Sequence, residues 1–267
     1  MNSMLRWVGV LWLSLVVTKG AQADEVQWQT LVSSEALADT PAGLAQQHYD
    51  LMQFFIQQSL YGDGKKAFDQ VSKRVKPKIQ WRTRRGYNHY EDAFLRSVKF
   101  TRQLDFEGMP LSIMLIAYLE SQWRGKVGYP SGDYGYWQMV PEVLKEIQAL
   151  DYVHEKVRNT PINALRESSF LSTKAAQVHL RRYYFYFAKI AGQSESDAWL
   201  FSFTAFNWGA GNVKRLQAKM KEAGLATDFS SFYHYLYQQQ QQSGDLSRRA
   251  ALEYIPSLWA IAQLLEP

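Results

Sequence analysis

The chain has 267 residues, of which 46% are hydrophobic and 15% aromatic, and a formal net charge of +5. Nine Trp, 16 Tyr and 14 Phe require burial, which excludes a largely disordered protein and fits one sizeable core, with or without a small accessory lobe. Cysteine is absent, so there are no disulfides, no thiolate metal sites and no lipid-modified cysteine, and the fold must be stable by packing alone.

Residues 1–23 read as an export signal rather than as part of the fold. MNSMLR carries one arginine, WVGVLWLSLVV is an apolar stretch, and TKGAQA ends in a small-x-small site at Ala21 and Ala23. Eleven apolar residues are short for a bilayer span, so cleavage before Asp24 is expected, with a mature product in the periplasm. Loss of Arg6 and Lys19 with the signal lowers the formal charge from +5 to +3. Part of the remaining excess lies in KRVKPKIQWRTRR, Lys73–Arg85. Nucleic acid is a poor partner for an exported protein. The patch reads as a solvated helix face and linker, with attraction to an anionic wall polymer as the alternative.

Residues 24–86 read as an N-terminal helical extension and 87–267 as the main domain. Residues 44–60 place Leu44, Leu51, Phe54, Phe55 and Leu60 at helical spacing, and the two glycines of YGDGKK are expected to break the pattern. A helix over roughly 88–104 follows. MPLSIMLIAYLE then gives an almost wholly apolar helix opened by Pro110 and closed by Glu120. GKVGYPSGDYGYW is a loop or short β-ribbon. Helical patterns resume at 141–149, 173–191, 195–207, 211–223 and 228–242, the last ending in the solvated run Gln238–Gln242. A final helical pair is expected, broken at Pro256. The fold class is all-α. The aromatic run YYFYF, Tyr183–Phe187, reads as core.

Glu120 is the residue whose placement asks for a reason. On a helix it stacks over Ile116 and Ala117, with Ile113 behind them. Apolar neighbours disfavour a carboxylate and raise the pKa, which keeps a glutamate ready as a general acid. The competing reading puts Glu120 at a frayed, solvated helix end. Other chemistries find no support. The five histidines show no i, i+4 pair, there is no G-x-S-x-G, and Gly209–Asn212 has neither the preceding strand nor the lysine of a phosphate loop.

Four segments in order carry a family resemblance: ES at Glu120–Ser121, GYWQMVP at Gly135–Pro141, TAFNWGAGNV at Thr204–Val213, and YIP at Tyr254–Pro256. Their order and spacing resemble the soluble lytic transglycosylase catalytic domain, which has a goose-type-lysozyme-like fold. The resemblance covers about 105–262. LIAYLES also looks like the membrane-bound transglycosylase D branch, without the LysM wall-binding repeats found there. The resemblance implies cleavage of the MurNAc–GlcNAc β-1,4 bond of peptidoglycan with 1,6-anhydro ring formation, Glu120 acting first as acid and then as base, with no metal or organic cofactor. Gln138 matches the family's loop glutamine, Asn207 the asparagine near the reacting sugar, and Tyr254 a tyrosine whose hydroxyl approaches the catalytic carboxyl. Ser121 follows the glutamate, and Tyr129 aligns with the family's loop serine. Phe206 stands where most members have tyrosine, which removes a hydroxyl. Asp133 is either a turn residue or a second acid, and in the latter case hydrolysis by a muramidase becomes the alternative. A wall-binding or assembly protein with weakened chemistry is the rival from another class, and a component of wall-building or secretion machinery is a candidate partner.

Overall fold

The computed structural model describes residues 40–266, and the signal segment and residues 24–39 of the extension lie outside it. Within this range the chain is helical. The loop at 126–139 contributes one isolated antiparallel bridge, Gly128 to Tyr134, rather than a ribbon.

Helix α1 (Pro41–Ser59) starts at Thr40, whose Oγ1 accepts from the Gly43 N–H at 3.0 Å, with Pro41 in the first turn. The chain breaks only at Leu60–Tyr61. The glycines of YGDGKK then open a second helix, α2 (Gly62–Ile79), where a loop was expected. Gly64 is required there because a Cβ would collide with the backbone and hydroxyl of Ser230. Ser230 sits on α11 (Phe229–Ser243) and binds the α1–α2 corner twice. Its hydroxyl donates to the Tyr61 carbonyl at 2.7 Å and accepts from the Tyr61 N–H at 3.1 Å.

Helix α3 (His89–Thr101) is capped by Asn88, and a short 3₁₀ turn at Leu111–Ile113 leads into α4 (Met114–Ser121). Every residue from Met109 to Tyr118 is buried, as befits a helix that is apolar all round. Helices α5 (Pro141–Gln148), α6 (Glu155–Asn159) and α7 (Ile162–Glu167) follow the loop and pack around the N-terminal part of α8 (Ser169–Phe185). A π-helical turn at Tyr186–Ile190 ends that arm. The aromatic run splits there: Phe187 is core, whereas Phe185 is exposed. Helices α9 (Glu195–Trp208) and α10 (Ala210–Glu222) lead on to α11 and α12 (Leu246–Leu265).

Helix α12 lies against α1, α2, α4, α9 and α11, so the first two helices share one hydrophobic core with the rest. It is one continuous helix and not a pair. Pro256 has no N–H for the Leu252 carbonyl one turn earlier, and the buried Tyr233 hydroxyl of α11 donates to that carbonyl at 2.7 Å instead. The break expected from the sequence is repaired by a side chain 19 residues upstream.

Tyr233→Phe should therefore cost about 1–3 kcal/mol in urea unfolding, the usual penalty for orphaning a buried acceptor. In a Pro256→Ala background, where the backbone can supply the N–H, the same change should cost clearly less. Equal costs in both backgrounds would refute the repair.

Candidate active site

Glu120 is the penultimate residue of α4. The helix cannot continue, because Gln122 and Trp123 both adopt left-handed backbone (φ 53° each). Two consecutive non-glycine residues there are strained and are held by their surroundings. The Gln122 N–H bonds back to Tyr118, its carbonyl accepts from Arg96 of α3 at 2.6 Å, and the Trp123 ring packs on Phe100, Tyr118 and Tyr136. This abrupt stop leaves Glu120 half-buried at the edge of the core.

Tyr254, on α12 and almost wholly buried, donates its hydroxyl to Glu120 Oε1 at 2.8 Å. Burial pushes the Glu120 carboxyl up to about 7. The Tyr254 hydrogen bond opposes that shift and the Asp133 carboxylate adds to it. Burial and the adjacent Glu120 hold the Tyr254 phenol well above its ordinary value, so it remains a donor. Tyr90 of α3 lies within the field of the same carboxylate, which, after burial, raises its phenol. A carboxyl group with a pKa near neutrality can both give and accept a proton at physiological pH.

The remaining residues singled out from the sequence fall into two groups. Asn207 is exposed in the last turn of α9, just before Gly209 turns the chain with φ 82°. Asp133 is exposed on the loop, close enough to act on Glu120 electrostatically. Tyr129 is 79% exposed at the loop tip, where its N–H bonds the Asp133 carbonyl at 2.8 Å. Ser121 and Gln138, by contrast, are used by the protein itself. The buried Ser121 hydroxyl donates to the Tyr136 carbonyl at 2.7 Å and ties the end of α4 to the loop. The Gln138 amide nitrogen donates to Val127 O at 3.0 Å and Gly135 O at 2.6 Å, and its own backbone is left-handed (φ 49°). Phe206 packs edge-on against Trp137 and His179, an apolar setting for the position where a hydroxyl was missing.

Sequence inspection missed Arg166. It reads as a surface cation on a short helix, yet it is 1% exposed. Its guanidinium donates to the carbonyls of Pro130 at 2.5 Å, Gly132 at 2.7 Å and Met139 at 3.2 Å, and it lies over the Tyr134 ring. Its own carbonyl accepts from the Tyr136 N–H at 3.3 Å and passes so close to Gly135 that no Cβ fits there. One side chain thus gathers both ends of the loop that carries Asp133 and Gln138. No local sequence pattern could reveal it, since apart from the Asn163 Oδ1 on its own helix its partners are backbone carbonyls 27 to 36 residues away.

Two expectations follow. A carboxyl raised from its ordinary value of 4.5 to about 7 is neutral in both folded and unfolded chains at low pH, and charged in both at high pH, where only the folded state bears the burial penalty. Stability should therefore fall as pH rises from about 4.5 through 7, and Glu120→Gln should gain on wild type over that window. Denaturant titrations at pH 4 and 8 should show a relative gain of order 2–3 kcal/mol, and none would mean an unperturbed carboxyl. Separately, Arg166→Met should leave three loop carbonyls unpaired and lower stability by roughly 2–4 kcal/mol, with faster hydrogen exchange confined to 126–139. Unchanged exchange there would remove Arg166 from this role.

Among the described residues no helix is long and apolar enough to cross a membrane. No curated protein matches the chain. The family model of the transglycosylase SLT domain matches residues 98–229, a span that includes α4 with Glu120, the loop clamped by Arg166, and α9 with Asn207. Residues 98–229 thus carry a transglycosylase SLT domain, whose activity at the level of the family is lytic-transglycosylase-type cleavage of peptidoglycan.

Proposed function

We propose that the protein is an exported peptidoglycan lytic transglycosylase that cuts the MurNAc–GlcNAc β-1,4 bond with Glu120 as its single general acid and base. The observation that carries this reading is the half-buried carboxyl with a pKa of about 7, bonded by Tyr254. Protonated Glu120 donates to the glycosidic oxygen as the bond to C1 breaks. The N-acetyl group of the sugar stabilises the positive charge at C1. Glu120, now ionised, takes the proton of the C6 hydroxyl as that oxygen bonds C1 to close the 1,6-anhydro ring. Glu120 regains its proton, no water is consumed, and no protein nucleophile is needed.

Tyr254 supports both halves of the cycle. Its hydrogen bond stabilises the carboxylate formed in the first step, while its own raised pKa keeps it from competing as an acid. Asn207 is available to the reacting sugar because it is exposed at the end of α9. Gln138 acts chiefly through the loop it holds. The periplasmic location rests on residues 1–23 as a cleaved signal.

Mass spectrometry of muropeptides released from purified sacculi by residues 24–267 tests the reading. Anhydro-muropeptides are expected, with a loss of at least about 10²-fold in Glu120→Gln, the scale of general acid–base catalysis. Reducing-end products would replace the proposal with hydrolysis assisted by Asp133. Sacculus binding without soluble product would replace it with a binding role.

A further inference from the structure

The loop between α2 and α3, residues 80–88, lies outside the matched family span and is built as a rigid platform. Asn88 donates from its amide to the carbonyls of Ile79 and Trp81, both at 2.9 Å, and accepts from the Tyr90 N–H at 2.8 Å. Thr83 N–H bonds the Tyr87 carbonyl at 2.8 Å, and Gly86 N–H bonds the Thr83 carbonyl at 2.8 Å. Arg82 closes the loop by binding the Gly86 carbonyl at 3.0 Å and pairing with Glu91.

This ordered backbone nevertheless presents Trp81 at 58% and Tyr87 at 41% exposure. Arg84 and Arg85 lie beside them, exposed and with no carboxylate partner among the described residues. Aromatic rings that remain in water on a preorganised loop, next to unpaired guanidinium groups, are the composition of a binding surface and not of a solvated linker. The helices on either side of the loop run close to Glu120 and Tyr254. On α2, Lys78 pairs with Glu253, the chain neighbour of Tyr254, at 3.8 Å. On α3, Tyr90 lies close enough to Glu120 for that charge to act on its phenol.

We propose that Trp81, Tyr87, Arg84 and Arg85 form a second substrate site that holds the peptidoglycan strand beside the catalytic centre, the rings stacking on sugar faces and the arginines pairing with carboxylates of the stem peptides. The inference rests on the peptidoglycan reading given above. Wall glycan supplies both kinds of group on one strand: flat apolar sugar faces, and stem-peptide carboxylates to which arginine binds bidentately.

The test uses residues 24–267 in a Glu120→Gln background, so that binding to sacculi is measured without digestion. Arg84→Ser/Arg85→Ser should weaken binding to intact sacculi about fivefold or more at low salt, in line with two lost surface ion pairs, and should have no effect on sacculi whose stem-peptide carboxylates have been converted to amides with a carbodiimide and ammonia. Trp81→Ala/Tyr87→Ala should weaken binding to both. All four positions are exposed, and unchanged thermal unfolding will exclude misfolding as the cause. Binding by both double variants within twofold of the parent would overturn the site, and an arginine effect that persists on amidated sacculi would overturn the stem-peptide assignment. If the parent fails to bind and the wild type releases no muropeptide, the peptidoglycan reading itself fails, a result distinct from either.

Discussion

The arrangement depends on placing one carboxyl group where water is nearly, but not wholly, excluded. Deep burial would fix Glu120 as a neutral acid, and full exposure would leave it an ordinary carboxylate. The protein meets this constraint by running α4 through the centre of the core and stopping it abruptly. The left-handed pair Gln122–Trp123 would be costly in isolation. It is affordable here because the Trp123 ring is locked among three aromatics and the Gln122 carbonyl is held by Arg96. The same cluster that stabilises the core thus decides how much water reaches the acid.

Around that fixed helix the site is assembled by backbone carbonyls finding side-chain donors. Ser121, Gln138 and Arg166 each spend their hydrogen-bonding capacity on carbonyls of residues 127–139. The loop has one β-bridge and no regular ladder, so its backbone groups have few partners of their own kind. Side chains do for this loop what a sheet does elsewhere. The result is a short, glycine-rich segment that can place Asp133 near Glu120 without a hairpin.

The sequence disclosed what local pattern encodes. The apolar run before Glu120, the G-x-x-Q-x-x-P segment and Asn207 before Gly209 are short-range signals, and they point to the fold class and to Glu120. What escaped was whatever depends on distant partners. Gly62 and Gly64 look like helix breakers, yet Gly64 is a contact point for Ser230, 166 positions along the chain. Pro256 looks like a boundary, but Tyr233 supplies what it lacks. Arg166 looks like a surface charge because nothing adjacent to it announces three buried carbonyls. Ser121 and Gln138 were found by motif, but whether they face sugar or loop is a matter of geometry, which spacing does not record.

The hydrogen bond between Tyr254 and Glu120 joins residues 134 positions apart, and the tyrosine belongs to the last helix of the chain. The carboxyl is therefore not finished when its own helix forms. It acquires its partner only after α12 has docked against α2, α9 and α4. A nascent chain that already contains every matched family residue still lacks the donor that completes its acid. Completion of the hydrogen bonding at Glu120 is thereby tied to the docking of the last helix, so that the final twenty residues belong to the site as much as to the core.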